Sequence, residues 1–258
     1  MMENVLYEVK NRICFLTLNR PEKRNALNAS TVAELKGLLA RAEADAEVKV
    51  VVLRANGDVF CSGADLASLQ QLQKNPYEEN LKDSIHLKDL FLQVYTLKKV
   101  VVAQVQGHAL AGGCGLVTVC DFAFAAPMAK MGYTEVRIGF VPAIVMVFLL
   151  RKVGEQKAKQ LLLGGELVAG EEAVRFGLVN KIIASEELPG AVAAFCERLI
   201  QNNSAQSMEL TKQMIARSQS MSLEEGLDYA ARMNAQARGT DDCKRGIAAF
   251  LNKGKVAW

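Results

Sequence analysis

Val100-Val101-Val102-Ala103-Gln104-Val105-Gln106-Gly107-His108-Ala109-Leu110-Ala111-Gly112-Gly113-Cys114-Gly115 is the stretch on which the fold turns. Its first six residues form a nearly unbroken apolar run, the pattern of a strand buried on both faces. Its second half is a glycine-rich turn placed where a helix would open. The same pairing occurs earlier: Val48 to Leu53 is another apolar run, and Cys61-Ser62-Gly63-Ala64-Asp65-Leu66 follows it. Strand, turn and helix repeated in this order predict parallel β-α-β units with right-handed crossovers, and therefore an α/β fold.

Outward from these runs, Val5 to Val9 and Ile13 to Leu18 read as two strands around a turn at Asn11-Arg12. Asn28 to Thr31 offer helix caps, Thr31 and Glu34 fit a capping box, and Val32, Leu35, Leu39 and Ala42 recur at helical spacing. The polar stretch Gln70 to Asp83 reads as a loop or a mobile helix. From Val141 onward the pattern turns helical. Leu188, Val192, Phe195 and Leu199 share one helical face, Ser222 and Glu225 fit a second capping box, and Thr240 is placed to cap the last helix. The expected organisation is a core over 1–195 and a helical region over 196–258.

Half of the 258 residues are apolar, enough for a proper core in a chain of this length. The charge balance of 31 basic against 28 acidic residues, net +3, argues against a strong field for nucleic acid or membrane. None of the six cysteines forms a C-x-x-C pair, which reads as small buried hydrophobes in a reducing compartment. With two histidines, His86 and His108, and no cluster at metal-ligand spacing, no metal site is expected. Met1 to Lys10 lacks the charged start and long apolar stretch of a signal peptide. Val141 to Leu150 falls well short of the roughly 20 residues that span a bilayer. A cytoplasmic protein is expected.

The glycine-rich turns and one carboxylate carry the chemistry. A turn that opens a helix leaves backbone N–H groups without partners, and these attract negative charge. Two such groups from separate turns can grip one carbonyl oxygen as it becomes an oxyanion. Neither turn is followed by Gly-Lys-Ser/Thr, and neither has dinucleotide-binding spacing. Glu135, in Met131-Gly132-Tyr133-Thr134-Glu135-Val136-Arg137-Ile138-Gly139, precedes the apolar run Val141 to Leu150. A carboxylate against an apolar wall has a raised pKa, which suits a proton carrier near neutral pH. Asp65 reads as a helix cap, Cys114 and Tyr133 as packing residues, and His108 as a residue packed near the turn.

Taken together and in order, these pieces resemble the enoyl-CoA hydratase/isomerase (crotonase) family. The resemblance runs from Leu18-Asn19-Arg20-Pro21 and Arg24-Asn25-Ala26-Leu27-Asn28 through Cys61 to Leu66, Gly107 to Asp121 and Tyr133 to Pro142. It ends with Gly164-Gly165-Glu166, Ala173 to Leu178 and the Asp241 to Phe250 helix. It implies a spiral core of repeated ββα turns with a helical C-terminal trimerisation region, in trimers or dimers of trimers. It places the oxyanion hole on the N–H groups of Ala64 and Gly112, with Gly113 beside them, and the catalytic carboxylate at Glu135. It lays Ala64, Asp65, Leu66 and Ala67 along the CoA moiety and sets Arg24 and Ala26 at its nucleotide end. Phe250 and Lys253 resemble residues that approach a neighbouring subunit's CoA. No separate cofactor is implied, because coenzyme A is part of the substrate.

Gly115 departs from the family pattern, since hydratases usually carry a first glutamate there. Two readings follow. The flanks of Gly115 and Glu135 resemble bacterial methylglutaconyl-CoA hydratases of leucine breakdown, with Gly115 leaving room for a branched or carboxylated acyl group. A Δ3,Δ2-enoyl-CoA isomerase, by contrast, needs only one base. Two non-catalytic readings stand beside them: RNA binding, for which Lys98-Lys99 is only a short basic cluster, and CoA binding without chemistry.

Overall fold

The computed structural model describes residues 3–258, so Met1 and Met2 of the N-terminal segment lie outside the described residues. The chain opens with β1 (Val5–Lys10) and β2 (Ile13–Leu18), an antiparallel pair. Asn11 and Arg12 both hold positive φ between them, as a tight hairpin turn requires. Then come α1 (Ala29–Ala44), β3 (Val50–Ala55), β4 (Val59–Cys61), α2 (Leu66–Leu72), α3 (Tyr77–Thr96), β5 (Val100–Val105), β6 (His108–Leu110) and α4 (Gly112–Val119). β7 (Phe122–Ala125), β8 (Lys130–Gly132), α5 (Ala143–Val153), α6 (Glu155–Gly164), β9 (Leu167–Ala169), α7 (Gly170–Phe176) and β10 (Lys181–Ile182) follow. Four helices close the chain: α8 (Leu188–Asn202), α9 (Ala205–Ser218), α10 (Leu223–Arg238) and α11 (Asp241–Leu251).

The strands divide between two sheets in a repeating way. The larger has the order β1-β2-β3-β5-β7-β10, parallel throughout except at β1·β2. The smaller has the order β4-β6-β8-β9, with only β8·β9 antiparallel. So β3–β4, β5–β6 and β7–β8 each place one strand in the large sheet and a short one in the small sheet before a helix follows. This repeated ββα turn is the spiral core that the resemblance implies. Val50, Val51 and Val52 in β3 and Val101 and Val102 in β5 are sealed from solvent on both faces, which is why these strands read as continuous apolar runs.

Helix caps explain several boundaries. Asn28 caps α1 by accepting the Thr31 N–H at 2.8 Å. The capping box expected at Thr31 and Glu34 is therefore not formed: Thr31 already lies in the helix, and Glu34 accepts the Asn4 N–H instead. Gln70 to Asp83 is helical apart from a break at 73–76, where α2 stops at Leu72 and Pro76 stands at the N-cap of α3. Ser222 and Glu225 form their capping box, and Thr240 caps α11. Residue 195, the expected boundary, lies inside α8. That helix buries Leu188, Val192, Cys196 and Ile200 among the large-sheet residues Ile13, Val50, Val52, Val102 and Phe124. None of the helices is long and apolar enough to cross a membrane, among the described residues.

Candidate active site

The first glycine turn is held in place by the loop that leaves β2. Asn25 is buried with φ of 53°, a conformation asparagine tolerates better than most residues. Its Oδ1 accepts the Arg20 N–H, and its Nδ2 donates to the carbonyls of Asn56 and Val59 at 2.8 and 2.7 Å. Arg20 adds a second tie, donating to the Ala26 carbonyl at 2.8 Å and to Asp65 Oδ2 at 3.0 Å. Leu27 is thereby set beside Ala64 in a parallel bridge. Leu27 uses both of its own backbone groups there, accepting from Asp65 N and donating to Gly63 O. In such a bridge the opposite residue turns its N–H away from the pairing. Among the described residues the Ala64 N–H has no acceptor, and Ala64 is exposed.

The second turn approaches from the other side. Ala111 precedes α4 with φ 50° and ψ −122°, a strained conformation for a residue with a side chain. Two hydrogen bonds hold it there: its N–H donates to Gly132 O at 2.8 Å, and its carbonyl accepts the Gly115 N–H at 2.9 Å. The strain turns the first N–H of α4, at Gly112, outward, and among the described residues it too has no acceptor. The two turns touch. Gly63 has φ of 89°, and a β-carbon there would stand 3.0 Å from the Ala111 β-carbon and 3.5 Å from Gly112 N. Gly113 serves close approach, since a β-carbon on it would fall 2.2 Å from the Cys61 carbonyl oxygen. Two unpaired amides on adjoining turns, one at a helix N-terminus, form a place for a developing oxyanion.

Glu135 opens a 3-10 turn between β8 and α5 and is only 9 % exposed. Its Oε2 is buried with no hydrogen-bond partner. Burial pushes its carboxyl above the ordinary glutamate value, against the smaller downward pull of its own backbone N–H. Its charge reaches α4: the Cys114 thiol, pushed up to about 12 chiefly by burial, is raised further by Glu135, and so is the Tyr133 phenol. Cys114 is thus a protonated packing residue beside the site. Tyr133 is sealed, its hydroxyl 2.6 Å from Thr118 Oγ1. His108 is turned to the small sheet, where its Nδ1 accepts the Lys130 N–H.

The remaining residues divide. Ala64, Gly112 and Gly113 come together at the joined turns, with Ala26 and Asp65 just behind them. The Asp65 carboxylate is committed to the fold: it caps α2 at Ala67 N and pairs with Arg20. Burial alone would raise its pKa, but the Arg20 guanidinium and the Ala67 amide outweigh that and hold it below the ordinary aspartate value. Leu66 and Ala67 lie on the exposed start of α2, and Arg24 is exposed on the loop after β2. Phe250 lies in the last turn of α11 and is 82 % exposed, with Lys253 just beyond the helix, and α11 packs on α9 and α10. Lys99 of the short basic cluster is half-buried and bonded to the Asp45 carbonyl.

Gly115 corrects an expectation. It is buried, and a β-carbon added there would lie 2.4 Å from Val145 Cγ1 and 3.1 Å from Phe91 Cζ. The space that glycine was expected to leave for a branched acyl group is already filled by α5 and α3. Arg20 and Asn25 organise the loop after β2 through contacts with distant segments, which a local sequence pattern does not reveal. Polar residues beside Pro21, with asparagine where a turn needs positive φ, were the available signal.

The fold, with two acceptor-free turn amides and the buried carboxyl group of Glu135, is that of an α/β enzyme of the acyl-CoA class. The family model described as enoyl-CoA hydratase/isomerase matches residues 8–258, and the chain belongs to that family. A crotonyl-CoA hydratase of Syntrophomonas wolfei is 34% identical over 260 residues, covering 98% of this chain and 97% of its own. A Thermus thermophilus protein provisionally named an enoyl-CoA hydratase is 43% identical over 244 residues, covering 95% and 96%. Among solved structures, an enoyl-CoA hydratase from Mycobacterium smegmatis superposes with a TM-score of 0.93 at 29% identity, covering 100% of this chain and 99% of its own.

Proposed function

We propose that this protein is an enoyl-CoA hydratase, a hydro-lyase that adds water across the 2,3-double bond of an acyl-CoA thioester. The observation that carries the reading is the buried, unpartnered Glu135 Oε2 together with two acceptor-free turn amides at Ala64 and Gly112. The thioester oxygen sits between these amides, which hold it more strongly as it gains charge. Glu135 takes a proton from the water that attacks C3. The electron pair of the double bond moves toward the thioester oxygen, and the enolate collapses as Glu135 returns a proton to C2. A carboxyl group raised by burial suits both transfers near neutral pH. Coenzyme A enters as part of the substrate, along the exposed Leu66 and Ala67, with Arg24 near its phosphates.

The methylglutaconyl-type flanks of Gly115 and Glu135 favour 3-methylglutaconyl-CoA as the acyl group. The absence of a carboxylate at Gly115 favours a second reaction, a Δ3,Δ2-isomerisation in which Glu135 moves one proton from C2 to C4. Mass spectrometry on crotonyl-, 3-methylcrotonyl-, 3-methylglutaconyl- and 3-enoyl-CoA separates the two. Hydration adds the mass of one water, whereas isomerisation moves the double bond at constant mass. No change in any substrate would rule out both.

We assign the exposed apolar residues Leu223, Leu227, Ile247, Phe250 and Leu251 of α10 and α11 to contacts in a homotrimer or a dimer of trimers. Phe250 and Lys253 would then reach the neighbour's CoA. Sedimentation velocity tests this assignment, and a monomer at micromolar concentration would remove it.

A further inference from the structure

Gly112 and Gly115 stand three residues apart on α4 and therefore share one face of it, about 5–6 Å from each other. In the proposed function the thioester oxygen lies on the Gly112 N–H, so the acyl carbons next to it run over the Gly115 position. What they meet there is not open space. The direction in which a side chain would leave Gly115 ends 2.4 Å away on Val145 Cγ1 of α5, with Phe91 Cζ of α3 at 3.1 Å. Val145 is 4 % exposed and Phe91 is sealed. Behind them Phe91 stacks edge-on against Phe148, which in turn meets Tyr95. A β-branched residue inside a helix has essentially one χ1 rotamer, so the Val145 methyl cannot swing aside. Position 115 and position 145 therefore cannot both hold a side chain of ordinary size. They form a matched pair in which the volume comes from α5 rather than α4.

We infer that Val145 is a specificity-determining residue: its isopropyl group forms the wall that limits the substituent an acyl chain can carry around C2 and C3. Where a side chain at position 115 would present a polar head on that wall, this chain presents an apolar branch held by an aromatic cluster. The wall accepts hydrocarbon of limited bulk and offers nothing to a carboxylate or hydroxyl at that point. Such polar groups on the substrate must then be met elsewhere or lie further along the acyl chain. The inference rests on the enoyl-CoA reading.

The test compares wild type, Val145→Ala and Val145→Ile on crotonyl-CoA and 3-methylcrotonyl-CoA, with the thermal midpoint measured on the same proteins and on Gly115→Ala and Gly115→Ala/Val145→Ala. Val145→Ala is expected to shift the ratio of kcat/KM toward the branched substrate by about tenfold or more, and Val145→Ile the opposite way, the range that one methyl group commands in an apolar pocket. Gly115→Ala is expected to lower the midpoint in the wild-type background and much less in the Val145→Ala background. Val145→Ile keeps the specificity test available if Val145→Ala does not fold. Turnover of crotonyl-CoA with the ratio unchanged within twofold in a folded position-145 variant would overturn this inference alone. If wild type turns over no enoyl-CoA, the proposed function fails and this inference fails with it.

Discussion

Arg20 and Asp65 join the loop after β2 to the N-terminus of α2 across 3.0 Å, and through that contact they hold the bridge in which Ala64 turns its N–H outward. Both side chains are largely screened from solvent, at 14% and 12% exposure. Arg20→Met should cost about 2 kcal/mol of stability, between the values of an exposed and a buried ion pair. Its effect on turnover should be larger in kcat than in KM, because what moves is the amide proposed to hold the oxyanion. Asp65 contributes stability that is present above the ordinary aspartate pKa and is lost as pH falls through its lowered value in the fold. Urea unfolding of both proteins at pH 7 and in acid checks this, and Arg20→Met should flatten that acid limb.

Glu135 has the opposite sign. Its carboxyl pKa in the fold lies above that in the unfolded chain. In the window between the two values the native state holds more protons, so stability falls as pH rises through it. Glu135→Gln removes that loss. The variant should lose about 10²–10⁴-fold in kcat, yet melt higher than the parent at pH 8. The gain should vanish below about pH 4, where the parent glutamate is neutral in both states. A variant at full rate would remove Glu135 as the base, and one that melts lower at pH 8 would contradict its unpartnered burial.

The two turn amides can be tested without altering any side chain. Replacing Ala64 by its α-hydroxy analogue, lactic acid, through nonsense suppression turns the amide N–H into an ester oxygen. The expected loss is about 10²–10³ in kcat, the usual effect of removing one oxyanion donor. The same exchange at Lys74, in the turn after α2 and away from the joined turns, where the N–H bonds only the Gln71 carbonyl, serves as the control. Equal losses at both positions would mean that the ester acts through the fold and not through the oxyanion.

The parts of this site that were legible in the sequence are those with short-range causes. Glycine patterns mark backbone turns, so the positions of Ala64 and Gly112 could be read, and continuous apolar runs mark the central strands. Glu135 stood out because it borders an apolar run. What stayed hidden depends on contacts between distant segments. Every residue from Val141 to Leu150 is apolar except Pro142, so nothing in the pattern says that Val145 points inward to α4 while Met146 and Val147 stay exposed. The second sheet is built of short strands such as His108–Leu110, too few residues for a period to register. The Thr31–Glu34 box failed as a reading because Asn28 competes for the same helix start, and Glu34 bonds a residue 30 positions away.

Gly112 and Gly113 look interchangeable in the sequence, but the structure separates them sharply. A β-carbon on Gly112 would meet nothing nearer than Leu27 Cδ1 at 3.7 Å, an ordinary contact with a side-chain end. On Gly113 it would stand 2.2 Å from the Cys61 carbonyl oxygen and 2.8 Å from the Cys61 β-carbon, and a strand backbone cannot step aside. Gly112→Ala should therefore fold with a thermal midpoint within about 2 °C of the parent, since the added methyl makes only ordinary van der Waals contact. Gly113→Ala must push α4 off β4, an overpacking cost of about 3 kcal/mol or more, roughly 6–12 °C in a chain of this size. Differential scanning calorimetry on the two variants decides the matter. Equal melting would mean that α4 can slide on β4, and the Gly112 amide proposed as an oxyanion donor would then lack a rigid seat.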